Sequence, residues 1–186
     1  HDAIDPKSLS SEVQINLAVY REQIEVRNAR IEFRTYEKPL NADTTFWTSV
    51  ASAAPKTFPT EAQARAWIAR MGDTPRYFND QIANMKLGLA RGFTPPRVTL
   101  EGRAASISAV YEGKTAEQSA FYKPFLSLPA SIPAETRAQL QAEARTVIEQ
   151  KVFPAYRDLL PYFRDEYFPR TTTELAAVKL PNGDAY

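Results

Sequence analysis

The stretch from Pro133 to Phe168 constrains the fold more than any other part of this chain. Leu140, Ala144, Val147, Ile148, Val152, Tyr156, Leu159, Leu160, Phe163 and Tyr167 recur at helical spacing and describe one wide apolar face. Unbroken, a helix of about 36 residues reaches about 54 Å. A compact globule of this chain length is about 40 Å across. Pro154 and Pro161 lie inside the run, and each removes a backbone donor, so kinks are expected there. Either the helix bends within its own domain or it leans on protein beyond this chain. In the second case Val152, Tyr156, Phe163 and Tyr167 are the expected exposed apolar patch.

The rest of the chain reads as shorter helices separated by proline. A first helix is expected from the N-cap Ser10 to about Thr35, with Val13, Leu17, Tyr20, Ile24 and Ile31 on one stripe. Residues 38–59 read as an irregular connector, pinned to the core by Phe46, Trp47 and Phe58. Thr60 and Gln63 have capping-box spacing and open a second helix whose face is Ala64, Trp67, Ile68 and Met71. Thr74-Pro75 opens a third, with Phe78, Ile82, Met85 and Leu89 inward and Gly92 at its end. These two read as a helical hairpin. Val98 to Tyr111 is expected to be helical, and 112–131 a loop whose aromatic residues pack. The fold class is therefore all-α: an irregular multi-helix array with long proline-containing loops and one long kinked C-terminal helix. The 27 alanines against 6 glycines favour helix in the same sense.

Catalytic chemistry is hard to build from this residue set. There is no cysteine, and the one histidine is His1, which reads as a plain terminus or tag remnant rather than a ligand. An ordinary zinc site and a histidine-based triad both lack their parts. Six scattered glycines make no phosphate-binding loop. Asp165-Glu166 is the only adjacent acidic pair; neighbours on a helix point apart, so with Arg164 beside them they read as a solvated face. Net charge is +1 with no basic run, so nucleic acid is not an expected partner. No apolar stretch approaches the 18 or so residues needed to cross a bilayer. Aromatic and basic residues interleave at Tyr36–Lys38, Phe121–Phe125 and Tyr162–Arg170, which reads as amphipathic packing with snorkelling cations. Arg97, held on the rigid stem Pro95-Pro96, is placed to meet a carboxylate or to cap a neighbour.

A series of segments in order carries more information than any one residue. Ile4-Asp5-Pro6 and Leu9-Ser10 lead to Tyr20-Arg21-Glu22-Gln23, then to Trp67-Ile68-Ala69-Arg70-Met71. Gly88-Leu89-Ala90-Arg91-Gly92-Phe93-Thr94-Pro95-Pro96-Arg97 follows, then Phe121-Tyr122-Lys123-Pro124-Phe125 and Val152-Phe153-Pro154-Ala155-Tyr156. Leu180-Pro181-Asn182-Gly183-Asp184-Ala185-Tyr186 closes the series. Together they resemble the amino-terminal half of the bacterial domain-of-unknown-function family 885, over nearly the whole chain. The resemblance implies a zincin-like, helical metallopeptidase relationship and an exported or lipoprotein-anchored location. Its zinc signature, a His-Glu pair followed by Gly-His-His, lies beyond the Leu-Pro-Asn-Gly segment, so no metal-site position carries over to these residues.

The resemblance thus implies that residues 1–186 are one helical region at the amino-terminal end of a protein about three times as long. Its expected role is non-catalytic, shaping one wall of the substrate cleft of a secreted zinc-dependent peptidase-like hydrolase. Zinc belongs to the missing C-terminal part and no cofactor to this chain. The expected partners are the C-terminal remainder of the same polypeptide and a peptide substrate. The expected location is the periplasm or the extracellular face of the bacterial envelope, with a lipid anchor at a preceding N-terminus. Arg97 and Tyr186 are the candidate substrate-facing residues. The alternative is a stand-alone helical binding module without enzymatic activity, and a weaker one is a hydrolase using carboxylates such as Asp165 alone.

Overall fold

The computed structural model describes residues 4–186, and His1 lies outside them. The architecture is an all-α array; the one extended pairing among the described residues is an isolated antiparallel bridge between Leu40 and Thr45.

Helix α1 (Ser11–Glu32) starts where its cap predicts. The Ser10 hydroxyl accepts the Val13 N–H at 3.4 Å. It stops at Glu32, short of Thr35, because Arg34 adopts a left-handed backbone (φ 52°) that no α-helix continues through. A 3₁₀ turn, Thr35–Glu37, follows. The apolar stripe of α1 finds no cover in this chain: no residue of the helix is buried, and Val13, Tyr20 and Ile31 are 45%, 53% and 69% exposed.

The connector is less irregular than its prolines imply. It folds a short helix α2 (Phe46–Ser52), capped by the Thr45 hydroxyl accepting the Thr48 N–H at 3.3 Å. Phe46, Trp47 and Phe58 are buried as anticipated. Helix α3 (Glu61–Gly72) begins at the Thr60 cap, which accepts from Gln63 at 3.3 Å. Asp73 is at once the C-cap of α3 and the N-cap of α4 (Thr74–Ala90). The two helices spend their apolar faces mainly on the C-terminal helix, α3 against its first part and α4 against its middle. Gly92 closes α4 with φ 75°, and the Phe93 N–H returns to the Gly88 carbonyl at 2.8 Å. The stretch read as one helix from Val98 to Tyr111 is divided by Gly102 (φ 74°) into a 3₁₀ turn, Arg97–Leu100, and α5 (Arg103–Ser108).

The long helix exists, and it is solved from within. From Ala134 to Arg170 the backbone stays helical: α6 (Ala134–Val147), a π-helical turn (Ile148–Val152), α7 (Phe153–Pro161), a second π turn (Tyr162–Tyr167) and a 3₁₀ end (Phe168–Arg170). Each π turn finishes two residues before a proline, with the residue preceding the proline as its C-cap. Phe153 donates to the Ile148 carbonyl ahead of Pro154, and Phe168 donates to the Phe163 carbonyl ahead of Pro169. The wider turn makes room where a proline ring crowds the preceding carbonyls.

The four residues named as an exposed patch are instead core. Val152, Tyr156 and Tyr167 are 0% exposed and Phe163 is 1% exposed. They are covered by α2, α4 and α5, so the length of this helix is no argument for a missing partner at that face. Of the two tyrosines among them, Tyr156 has its hydroxyl paired, whereas the buried Tyr167 hydroxyl has no hydrogen-bond partner among the described residues. The Tyr156 hydroxyl donates to the Trp47 carbonyl at 2.6 Å, and the Trp47 indole donates to the Ser106 hydroxyl at 2.9 Å. The Trp67 indole donates to the Phe121 carbonyl at 3.2 Å. At about 1.5–3 kcal/mol for each large apolar side chain removed from water, this aromatic-rich layer is the main stabilising mass of the chain.

Candidate functional site

Two backbone positions fold the C-terminal segment back on the chain. Asn182 (φ 57°) turns the segment after Leu180, and Gly183 passes so close to residues 177 and 178 that an added Cβ would lie 2.3 Å from the Ala177 carbonyl oxygen. The turn is held by Gly183 N–H to the Leu180 carbonyl at 2.8 Å and Tyr186 N–H to the Asn182 carbonyl at 3.1 Å. Tyr186 is thereby folded back onto the foot of α1. Its ring meets Phe33 and Phe93 edge to face, each at 5.4 Å.

Lys38 joins this aromatic group. Its Nζ lies 4.5 Å from the Phe93 ring and 4.9 Å from the Tyr186 ring, and it donates to the Tyr186 hydroxyl at 3.4 Å. Below it sits a buried ion pair. Glu37, 2% exposed, accepts from Arg91 Nε, while Arg91 Nη2 donates to the Phe33 carbonyl at 2.8 Å. The Glu37 backbone comes close to α4 only because residue 88 is glycine: a Cβ there would lie 2.4 Å from the Glu37 carbonyl oxygen.

Between α1 and this assembly runs a groove of about 760 Å³. Val26, Ala29, Phe33 and Leu40 supply an apolar floor; Arg30, Lys38, Asn41 and Tyr186 supply polar edges. Two cations and no carboxylate side chain line it. Such a surface suits an apolar group carrying negative charge. Among its lining residues no nucleophile stands beside a base.

The two sequence candidates part company. Tyr186 lies in the groove, 45% exposed. Arg97 does not: its Nη2 donates to the carbonyls of Pro169 and Thr171 at 2.6 and 2.9 Å, and its N–H donates to the Thr172 carbonyl at 2.7 Å. The guanidinium caps the end of the long helix, satisfying carbonyls that have no partner within it. Asp165 is engaged by Arg164 at 2.7 Å and is exposed, as a solvated face requires. Lys38, Arg30 and Asn41 were not singled out as a site from the sequence. The interleaved Tyr36-Glu37-Lys38 was the one signal, and it resolves into cation–aromatic packing plus a buried ion pair.

Among the described residues no group of three or more His, Cys, Asp or Glu is placed to hold a metal ion, and no helix is long and apolar enough to cross a membrane. The fold is an all-α multi-helix array built around one central helix. The chain belongs to the family of bacterial proteins of unknown function DUF885, whose model matches residues 1–186. No protein of curated function matches it. Among solved structures it is similar to the crystal structure of the putative lipoprotein from Colwellia psychrerythraea. That match has a TM-score of 0.62 at 23% identity and covers 70% of this chain but 23% of that one. The likeness at this identity is one of fold, and the matched part is under a quarter of the longer chain.

Proposed function

We propose that this chain is a non-catalytic helical region of a longer bacterial envelope protein, and that it forms one wall of a substrate cleft supplied mainly by the rest of that polypeptide. The observation that carries the reading is the size relation: a fold covering 70% of this chain occupies 23% of its solved neighbour. The groove beside α1 supports it, because Lys38, Arg30 and Tyr186 turn a cationic, half-apolar edge outward with no reactive group of its own. The neighbour's description as a lipoprotein supports an envelope location, periplasmic or extracellular. A zincin-like peptidase chemistry, with zinc held in the remainder, is the finer part of the same reading. Peptides are its substrate class, and a C-terminal carboxylate is the group that Lys38 and Arg30 would meet.

The test is peptide hydrolysis by the polypeptide encoded by the complete gene, with and without a zinc chelator, beside the 186-residue chain alone. The longer protein should cleave peptides in a chelator-sensitive way and the 186-residue chain should not. Within the longer protein, Lys38→Ala and Tyr186→Phe should raise KM and leave kcat nearly unchanged. Hydrolysis by the short chain, or Lys38 and Tyr186 variants with an unaltered KM, would defeat the assignment. The reading as a stand-alone binding module is favoured by the groove alone and wins if the short chain binds peptides as tightly as the longer protein.

A further inference from the structure

Helix α1 carries apolar side chains on two sides. At about 100° per residue, Val13, Leu17, Tyr20, Ile24 and Ile31 share an arc of about 60°, while Ile15, Val19 and Val26 share another centred about 150° away. In the first group Val13, Tyr20 and Ile31 are exposed and Leu17 and Ile24 are half-buried; in the second, exposure is 65%, 50% and 46%. A helix resting on one body has one apolar stripe. A helix lying on a membrane has one as well, with a basic opposite face. Here Glu12, Glu22, Glu25 and Glu32 alternate with Arg21, Arg27 and Arg30 between two stripes, which fits neither case. Two opposed stripes are what a helix needs when protein covers it on both sides.

We infer that α1 is a two-sided docking strut, and that its occupant is the remainder of this chain's own longer polypeptide. Two observations choose that occupant. Most of the solved neighbour's chain lies outside the shared fold. Tyr186 is also packed against Phe33, at the foot of α1, and the groove it lines continues along the helix through Val26 and Arg30 to Val19 and Glu22. A polypeptide continuing beyond Tyr186 therefore starts beside the second stripe, at the high effective concentration that short tethering gives. This inference rests on the reading above that such a remainder exists.

Amide hydrogen exchange tests it, comparing the 186-residue chain with the polypeptide of the complete gene. The α1 amides should exchange about 100-fold more slowly in the longer protein. Within it, the pair Tyr20→Glu/Ile31→Glu and the pair Ile15→Glu/Val19→Glu, all exposed in the 186-residue chain, should each abolish that protection. Neither pair should lower the Tm of the 186-residue chain, which shows that the variants still fold. Equal exchange of α1 in both proteins overturns the inference, as does protection lost through one stripe only. Protection of the short chain that rises with its concentration, at twice the mass, assigns α1 to a second copy instead. Protection on adding vesicles of anionic phospholipid assigns it to a membrane, and either result overturns the docking. A gene that stops after Tyr186 removes this inference and the cleft reading together. A longer protein that protects α1 but cleaves no peptide removes only the cleft.

Discussion

The first and last long helices of this chain are built from similar material and meet opposite fates. Both mix aliphatic and aromatic residues with charged ones, and both run for many turns. The C-terminal helix gathers Leu140, Ala144, Ile148, Val152, Tyr156, Leu159, Phe163 and Tyr167 into one continuous face, and every one of them is buried. Helix α1 divides its apolar residues between two opposed stripes and buries none. Apolar content decides whether a helix needs covering. The angular distribution decides how many neighbours must do it, and one chain of this size supplies neighbours for only one of the two helices.

The comparison is broken first by truncating each helix in turn. Tyr156→Ala should cost about 3–5 kcal/mol in urea unfolding, because it empties a site among Phe78, Phe121 and Trp47 and strips the Trp47 carbonyl of its donor. A loss under about 1 kcal/mol would mean that the C-terminal helix is not the organising core. Arg91→Ala should come next, at about 3 kcal/mol, since it leaves the buried Glu37 carboxylate with only the exposed Arg34, 3.7 Å away, at the junction between the two regions. A chemical-denaturation midpoint unmoved by that change would detach α1's base from the core.

A smaller effect sharpens the contrast through pH. Glu117 is held well below the usual carboxylate range, at about 2, first by the hydrogen bond from Arg145 on α6. A depressed carboxyl adds stability above its ordinary value near 4.5, and that contribution is lost as pH falls towards about 2. Thermal midpoints between those limits should therefore drop less steeply in Arg145→Ala than in the parent chain. The pair is half-exposed, so solvent screens it and the difference should be slight. The smallest effect belongs to α1 itself. Ile31→Ala should change the stability of the 186-residue chain by no more than about 0.5 kcal/mol, checked by the same urea titration. A larger loss would show that α1 is already covered within this chain.

Much of the fold was legible because it rests on local chemistry. Ser10 and Thr60 announced their caps, Thr74-Pro75 and Gly92 bounded α4, and Trp47 and Phe58 declared themselves core. Two readings differ from the structure for physical reasons. A stripe at helical spacing signals an apolar face but not what stands opposite it: the Val152, Tyr156, Phe163 and Tyr167 face, expected to be exposed if the helix leans on protein beyond this chain, is covered within the chain. Gly102 divides a stretch whose pattern alone reads as one helix. The candidate site was legible only in part. Tyr186 lies in the groove, but Lys38, Arg30 and Asn41 reach it through contacts between distant segments that no local pattern records.

Sequence alone determined the class of this protein: helical, without cysteine, with one long central apolar run and a residue set poor in catalytic parts. It did so because helix propensity, capping and the periodicity of apolar residues act over a few neighbouring positions. Only the tertiary structure decided which long helix becomes core and that Arg97 reaches the carbonyls at the end of the long helix. The same holds for the pairing of Lys38 with Tyr186. Those outcomes depend on which segments of a folded chain stand within a few ångströms of each other, and that is set by packing the whole rather than by any stretch of it.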